Sequence, residues 1–70
     1  MAKIVKVIEV LAQSKKGWED AANKAVEKAS KSVDNIKSVH IKNMNAKVKD
    51  GKIVKYRVNA KISFVINEKE

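Results

Sequence analysis

The run Val54-Lys55-Tyr56-Arg57-Val58-Asn59-Ala60-Lys61-Ile62-Ser63-Phe64-Val65-Ile66 decides the fold. Every even position in it is apolar, and the odd positions between them are mostly Lys, Arg, Asn or Ser. Side chains alternate between the two faces of a strand, so this spacing predicts one dry face and one wet face. The dry face requires a cover, and the wet face requires solvent or a partner.

Immediately upstream, Lys49-Asp50-Gly51-Lys52 reads as a hairpin turn, preceded by a second strand over Ile36 to Val48. A two-residue loop at Asp50-Gly51 would set Val48 against Ile53 and Val54 against polar Lys47. A three-residue loop sets Val48 against Val54, Ala46 against Tyr56 and Met44 against Val58, all on one face. Parity therefore predicts the three-residue loop, with Gly51 or a neighbour left-handed. Inside the second strand the apolar phase changes, from odd positions at Val39 and Ile41 to even positions at Met44, Ala46 and Val48. One residue of slip between Ile41 and Met44 predicts a β-bulge. His40 falls on the polar register and reads as a surface residue.

The first strand is expected over Ala2 to Ala12. Ile4, Ile8 and Val10 share one face, while Val5, Val7 and Leu11 share the other. Apolar residues on both faces predict a strand contacted from two sides, and in so short a chain the second contact must come from another subunit. Ser14 reads as a helix N-cap. Trp18, Ala21, Ala22, Ala25, Val26, Ala29 and Val33 then recur at helical spacing. Asp20 with Lys24 and Glu27 with Lys31 form favourable pairs on the opposite side. The stripe is mostly alanine, which lets a helix lie close to a sheet, and Trp18 is its one large anchor. Asp34-Asn35 ends the segment.

The resulting class is α+β, in the order β-α-β-β. Placing the longest alternating strand in the centre gives a three-stranded antiparallel sheet, order 1-3-2, partly wrapping one helix. The chain reads as a single domain over residues 1–70.

Composition limits what such a domain does. At 70 residues, the core supplies roughly 3–5 kcal/mol without a staple. The sequence has no cysteine, so a disulfide is not the staple, and oligomerisation remains. No apolar run approaches the roughly 20 residues of a spanning helix, which predicts a soluble, cytoplasmic protein. Sixteen basic residues against eight acidic ones give a net charge of +8. The lysines are dispersed from Lys3 to Lys69 rather than massed, which favours a solvated surface over a nucleic-acid footprint.

Catalytic constellations are missing. No thiol is present, the one histidine has no partner in the sequence, and two glycines build neither phosphate-binding nor dinucleotide fingerprints. The wet face with Lys55, Arg57, Asn59 and Lys61 suits anions or subunit contacts. It lacks the exposed rings of sheet-type RNA binders, because Tyr56 and Phe64 fall on the dry side.

Five phrases stand in a fixed order along the chain: Val5-Lys6-Val7-Ile8-Glu9, Gly17-Trp18-Glu19-Asp20-Ala21-Ala22, Ala29-Ser30-Lys31-Ser32-Val33-Asp34-Asn35-Ile36, Lys55-Tyr56-Arg57-Val58 and Ile62-Ser63-Phe64. Together they resemble the dodecins, small flavin-binding proteins. The resemblance implies twelve subunits assembled from trimers into a hollow shell. It also implies paired flavins stacked between tryptophans near a symmetry axis, a glutamine on the isoalloxazine edge, and storage or buffering rather than catalysis.

Two positions depart from that pattern. Ser38 stands where the resemblance places the stacking tryptophan, and Arg57 stands where it places the glutamine after the tyrosine. A serine has no π face, which forfeits roughly 1–3 kcal/mol per ring by analogy with base stacking. Arginine accepts no hydrogen bond. Ser38 and Arg57 are therefore the expected ligand-clamp positions, with affinity for FMN or riboflavin weak or lost. The chain is similar to dodecin-like proteins lacking the flavin clamp, some of which bind calcium, with no ligand residues assigned here. The alternatives are a structural shell, a binder of anions such as coenzyme A or phosphate, and a basic nucleic-acid module.

Overall fold

The computed structural model describes residues 4–66, in the order β1 (Val5–Ser14), α1 (Trp18–Ala29), β2 (Ile36–Lys49) and β3 (Lys52–Val65). The three strands form one sheet in the order β1-β3-β2, and both pairings are antiparallel. The long alternating strand is central, as its two-faced pattern requires.

The core lies between α1 and the dry face of β3. Ala21 and Ala25 of the helix are buried, as are Val58, Ala60 and Ile62 of the strand. Alanine on the helix lets the two backbones approach, so the larger side chains come from the sheet. Trp18 anchors the helix start: its ring meets Tyr56 edge-on, centroids 4.8 Å apart and planes at 80°. Its indole N–H donates to the backbone carbonyl of Asn45 at 3.0 Å. Offset and edge-on aromatic pairs of this kind add about 0.5–1.5 kcal/mol beyond area burial.

The expected bulge in β2 is present. Ile41 pairs with Ala60 and Asn43 with Asn59, leaving Lys42 as the extra residue. The hairpin turn differs from expectation. Asp50 and Gly51 both have positive φ, 54° and 74°, as a two-residue type I′ turn requires. Val48 accordingly pairs with Ile53, and the extra residue is absorbed one step later, where Lys47 pairs with Lys55. A bulge at Val54 thus restores the parity that a longer loop would have supplied. The pairs Ala46–Tyr56 and Met44–Val58 stand as expected.

Three boundaries are corrected. The start expected for β1 at Ala2 and Lys3 lies outside the described residues, and its end moves from Ala12 to Ser14. Gln13 and Ser14 continue the ladder against Arg57 and Tyr56. Ser14 is consequently not the N-cap. Gly17 holds that position without any side-chain cap, while Ser14 is buried and its hydroxyl donates to the Asp20 carboxylate. The helix stops at Ala29, so Val33 and Lys31 lie in the turn beyond it. The Asp20–Lys24 pair forms at 3.9 Å. Glu27–Lys31 is not among the described ion pairs, because Lys31 has left the helical register. Asn35, with φ 65°, turns the chain into β2.

Coverage is uneven. The helix sits over β1 and β3 and scarcely reaches β2. β1 stops pairing at Ser14–Tyr56, so residues 47–55 extend past it as a two-stranded arm in a molecule 57 Å long and 19 Å wide. Apolar side chains are left open on this arm and on the outer strands: Leu11 is 81% exposed, Val48 61% and Met44 59%.

Candidate functional site

The face of the sheet away from the helix is organised in rows, one residue from each strand. Gln13, Arg57 and Asn45 form the first row, and Leu11, Asn59 and Asn43 the second. Glu9, Lys61 and His40 form the third, followed by Val7, Ser63 and Ser38. Directly opposed residues bring their Cβ atoms to about 4.5–5.5 Å, so Arg57 is flanked by two carboxamides. A cavity of about 430 Å³ opens there, lined by Leu11, Ala12, Gln13, Asn45, Arg57, Val58 and Asn59.

Arg57 supplies a fork of N–H donors and no acceptor. Asn59 supplies what the arginine lacks. Its amide helps to hold the Glu9 carboxyl below the ordinary value, and its Oδ1 is buried without a hydrogen-bond partner among the described residues. A buried acceptor without a partner costs roughly 1–3 kcal/mol, which a ligand N–H would recover.

The bulge contributes to the same face. Lys42 extends over β3, and its ammonium donates to Glu9 Oε2 on β1 at 3.4 Å. That hydrogen bond, then the one from Asn59, then the charges of Lys42 and Lys61, hold the Glu9 carboxyl below its ordinary value of 4.5. Glu9 is therefore a fixed anion at the edge of the site at neutral pH.

The two clamp positions expected from the sequence both lie on this face, and both are exposed. They are not adjacent. Ser38 pairs with Ser63, six residues along β3 from Arg57, which is about 20 Å at strand rise. One chain does not bring them together. A site containing both would combine Ser38 of one copy with Arg57 of another. Reading the sequence for clamp positions placed Asn59 on the wet face with Arg57 but missed Gln13, Asn45 and the Glu9–Lys42 pair. Asn45 was within reach, because the expected Ala46–Tyr56 pair fixes Asn45 opposite Arg57. Gln13 was not, since its register depends on long-range pairing. His40 is exposed on its polar row, as expected. Among the described residues no group of three or more His, Cys, Asp or Glu converges, and no helix is long and apolar enough to cross a membrane.

A family model described as Dodecin matches residues 4–67. A calcium dodecin of Mycobacterium tuberculosis is 33% identical over 61 residues, 87% of this chain and 86% of that protein. The crystal structure of this calcium-chelating antigen, which has a calcium-binding site, superposes with a TM-score of 0.79 at 34% identity, covering 96% of each chain. The dodecin of Streptomyces davaonensis superposes more closely, with a TM-score of 0.90, covering 97% of this chain and 100% of its own at 20% identity. That second likeness shows the fold.

Proposed function

The chain belongs to the dodecin family, and from that premise we propose that it is a self-associating ligand-binding protein that stores or buffers a small molecule around Arg57. The whole chain, residues 1–70, acts as one dodecin domain. Twelve copies built from trimers form a hollow shell in the cytoplasm, and the chain catalyses no reaction. Leu11, Met44 and Val48 lie open in the single chain, and their burial between copies would favour assembly.

The observation that carries the reading is the pairing of Arg57 donors with the partnerless Asn59 Oδ1 in one cavity. A flavin presents an imide edge, two carbonyls flanking an N–H. Arg57 and the Gln13 and Asn45 amides suit the carbonyls, and Asn59 Oδ1 suits the N–H. These residues fit the edge of an isoalloxazine. Ser38 does not fit its faces, because it offers nothing to stack upon. The expected outcome is weak flavin affinity with edge recognition retained.

Titration with riboflavin and with FMN, followed by flavin fluorescence, tests this. The wild type should leave flavin unquenched at submicromolar ligand, and Ser38→Trp should tighten binding by about 5- to 150-fold, the range given by roughly 1–3 kcal/mol of stacking. The double variant Ser38→Trp, Arg57→Gln restores both family residues and should likewise bind flavin more tightly than the wild type. Strong quenching of submicromolar flavin by the wild type would overturn the loss of the clamp.

Calcium is the second reading, favoured by identity to the calcium dodecin. Glu9 is the one carboxylate in the rows of this face, and the Lys42 ammonium is already on it. Calcium takes 6–8 oxygens, usually with several carboxylates, so one ion-paired carboxylate among carboxamides and hydroxyls does not fit it within one chain. Calorimetric titration with calcium chloride decides, and heat that Glu9→Gln abolishes would favour calcium.

A further inference from the structure

A second cavity, of about 440 Å³, lies where β1 passes into α1, and its lining is Gln13, Ser14, Lys15, Lys16, Asp20, Lys24 and Lys55. Four lysines and one aspartate thus line the same cavity. That carboxylate is already engaged twice, by the Ser14 hydroxyl and by Lys24 at 3.9 Å. Among the described residues Lys15, Lys16 and Lys55 make no ion pair.

The convergence follows from the fold. Buried Ser14 accepts the backbone N–H of Lys16 at 2.9 Å while donating to Asp20, which ties the Lys15–Lys16 turn to the first turn of the helix. Ser14–Tyr56 is the last β1–β3 pair, so Lys55 sits just past the end of β1, beside that turn. Lys55 is itself directly opposite Lys47, and like charges so placed are destabilising in a sheet. Two lysines also stand at the positive end of the helix dipole. The chain therefore gathers cations at one place against their mutual repulsion, and Lys15, Lys16 and Lys55 stand without an ion pair among the described residues.

We propose that this pocket binds an oligophosphate, two or more linked phosphoryl groups borne by a small molecule. A single phosphate is too compact to meet cations arranged around a cavity of this size. A phosphate chain presents anionic oxygens along its length, and lysine serves phosphate as a point charge. The site goes beyond the Arg57 reading and does not depend on it. Gln13 lines both cavities, but Arg57 lines only the first.

Calorimetry on the full chain at low salt tests the proposal, with sodium tripolyphosphate, ATP, adenosine and orthophosphate as probes. Tripolyphosphate and ATP should bind, adenosine should not, and orthophosphate should bind at least about tenfold more weakly than tripolyphosphate. ATP equal to tripolyphosphate assigns recognition to the phosphate chain alone, and ATP tighter assigns part of it to a nucleoside. The triple variant Lys15→Gln, Lys16→Gln, Lys55→Gln should lose about tenfold or more in tripolyphosphate affinity. A charge-matched variant, Lys28→Gln, Lys31→Gln, Lys37→Gln, should lose less than about threefold through long-range charge alone. Arg57→Gln should leave tripolyphosphate affinity unchanged, which separates this site from the Arg57 pocket. Equal losses in the two triple variants, or no binding of tripolyphosphate by the wild type, would overturn the proposal.

Discussion

The two ends of β3 carry the same kind of sequence and lead different physical lives. From Val58 to Ile62 the even side chains are buried beneath α1, with Val58 only 1% exposed. From Lys52 to Lys55 the strand runs past the ends of β1 and α1, and its apolar residues meet solvent in the single chain, Ile53 at 47%. Alternation fixes which side chains share a face. Only a neighbouring element buries that face. The arm end has no such neighbour among the described residues, and an isolated two-stranded hairpin is marginal in water, so the arm is where assembly would contribute most.

The same substitution should act very differently at the two ends. Val58→Asp places an unpaired charge in the core, at a cost exceeding the roughly 3–5 kcal/mol a core of this size supplies. The far-ultraviolet circular dichroism of an unfolded chain is expected. Ile53→Asp should keep the folded spectrum, because within one chain the site is already half open. Equal unfolding by both would show that the arm is as covered as the core.

Assembly gives the next largest effect. Leu11 projects from the edge strand on the face opposite the helix, which the two-faced pattern of β1 assigns to another subunit. Leu11→Lys removes about 1.5–3 kcal/mol of apolar burial per copy if that contact forms. Light scattering should then record a smaller mass with the fold intact. An unchanged mass would remove Leu11 from the interface and leave the arm to carry it.

A smaller effect belongs to the turn at the arm's tip. Gly51 has φ 74° and open space where a Cβ would stand, so the penalty of Gly51→Ala is conformational alone. About 1 kcal/mol is expected, lowering the melting temperature by about 4–8 °C in a domain of this size. A loss far larger than this would mean that the tip packs against another copy.

Most of the fold was legible because it rests on period. The central place of β3, the bulge after Ile41 and the alanine stripe of α1 all follow from where apolar residues change phase. The turn was misread because a bulge at Val54 and a longer loop correct parity equally well, and twist matching at Asp50-Gly51 decides between them. Ser14 was misread because a serine between strand and helix is as plausible a cap as a buried strap, and only the position of Asp20 distinguishes the two. The site was less legible than the fold. Resemblance marked Ser38 and Arg57 as one clamp, whereas the register puts them at opposite ends of one face. Asn59 shares the face of Arg57 by alternation along β3, whereas Gln13 joins Arg57 through pairing between distant segments, which no local pattern encodes.

The smallest expected effect returns to the open face, where the bulge at Lys42 sends an ammonium over β3 to Glu9. The Glu9 carboxyl is held below 4.5, first by the Lys42 hydrogen bond and then by Asn59. A carboxyl depressed in the folded state favours folding while it is ionised. Its contribution is thus complete above the unfolded value near 4.5 and is lost as pH falls through the lower folded value. Glu9→Gln should therefore lower the melting temperature slightly at pH 7 and leave it unchanged in strong acid, so that the two melting curves converge on acidification. Lys42→Gln should reproduce most of this, because the lysine is the leading cause. Raised salt should shrink both differences, since the pair is half exposed and screened. A Glu9→Gln difference that persists undiminished at pH 2 would show that the side chain contributes through packing against Asn59 rather than through its charge.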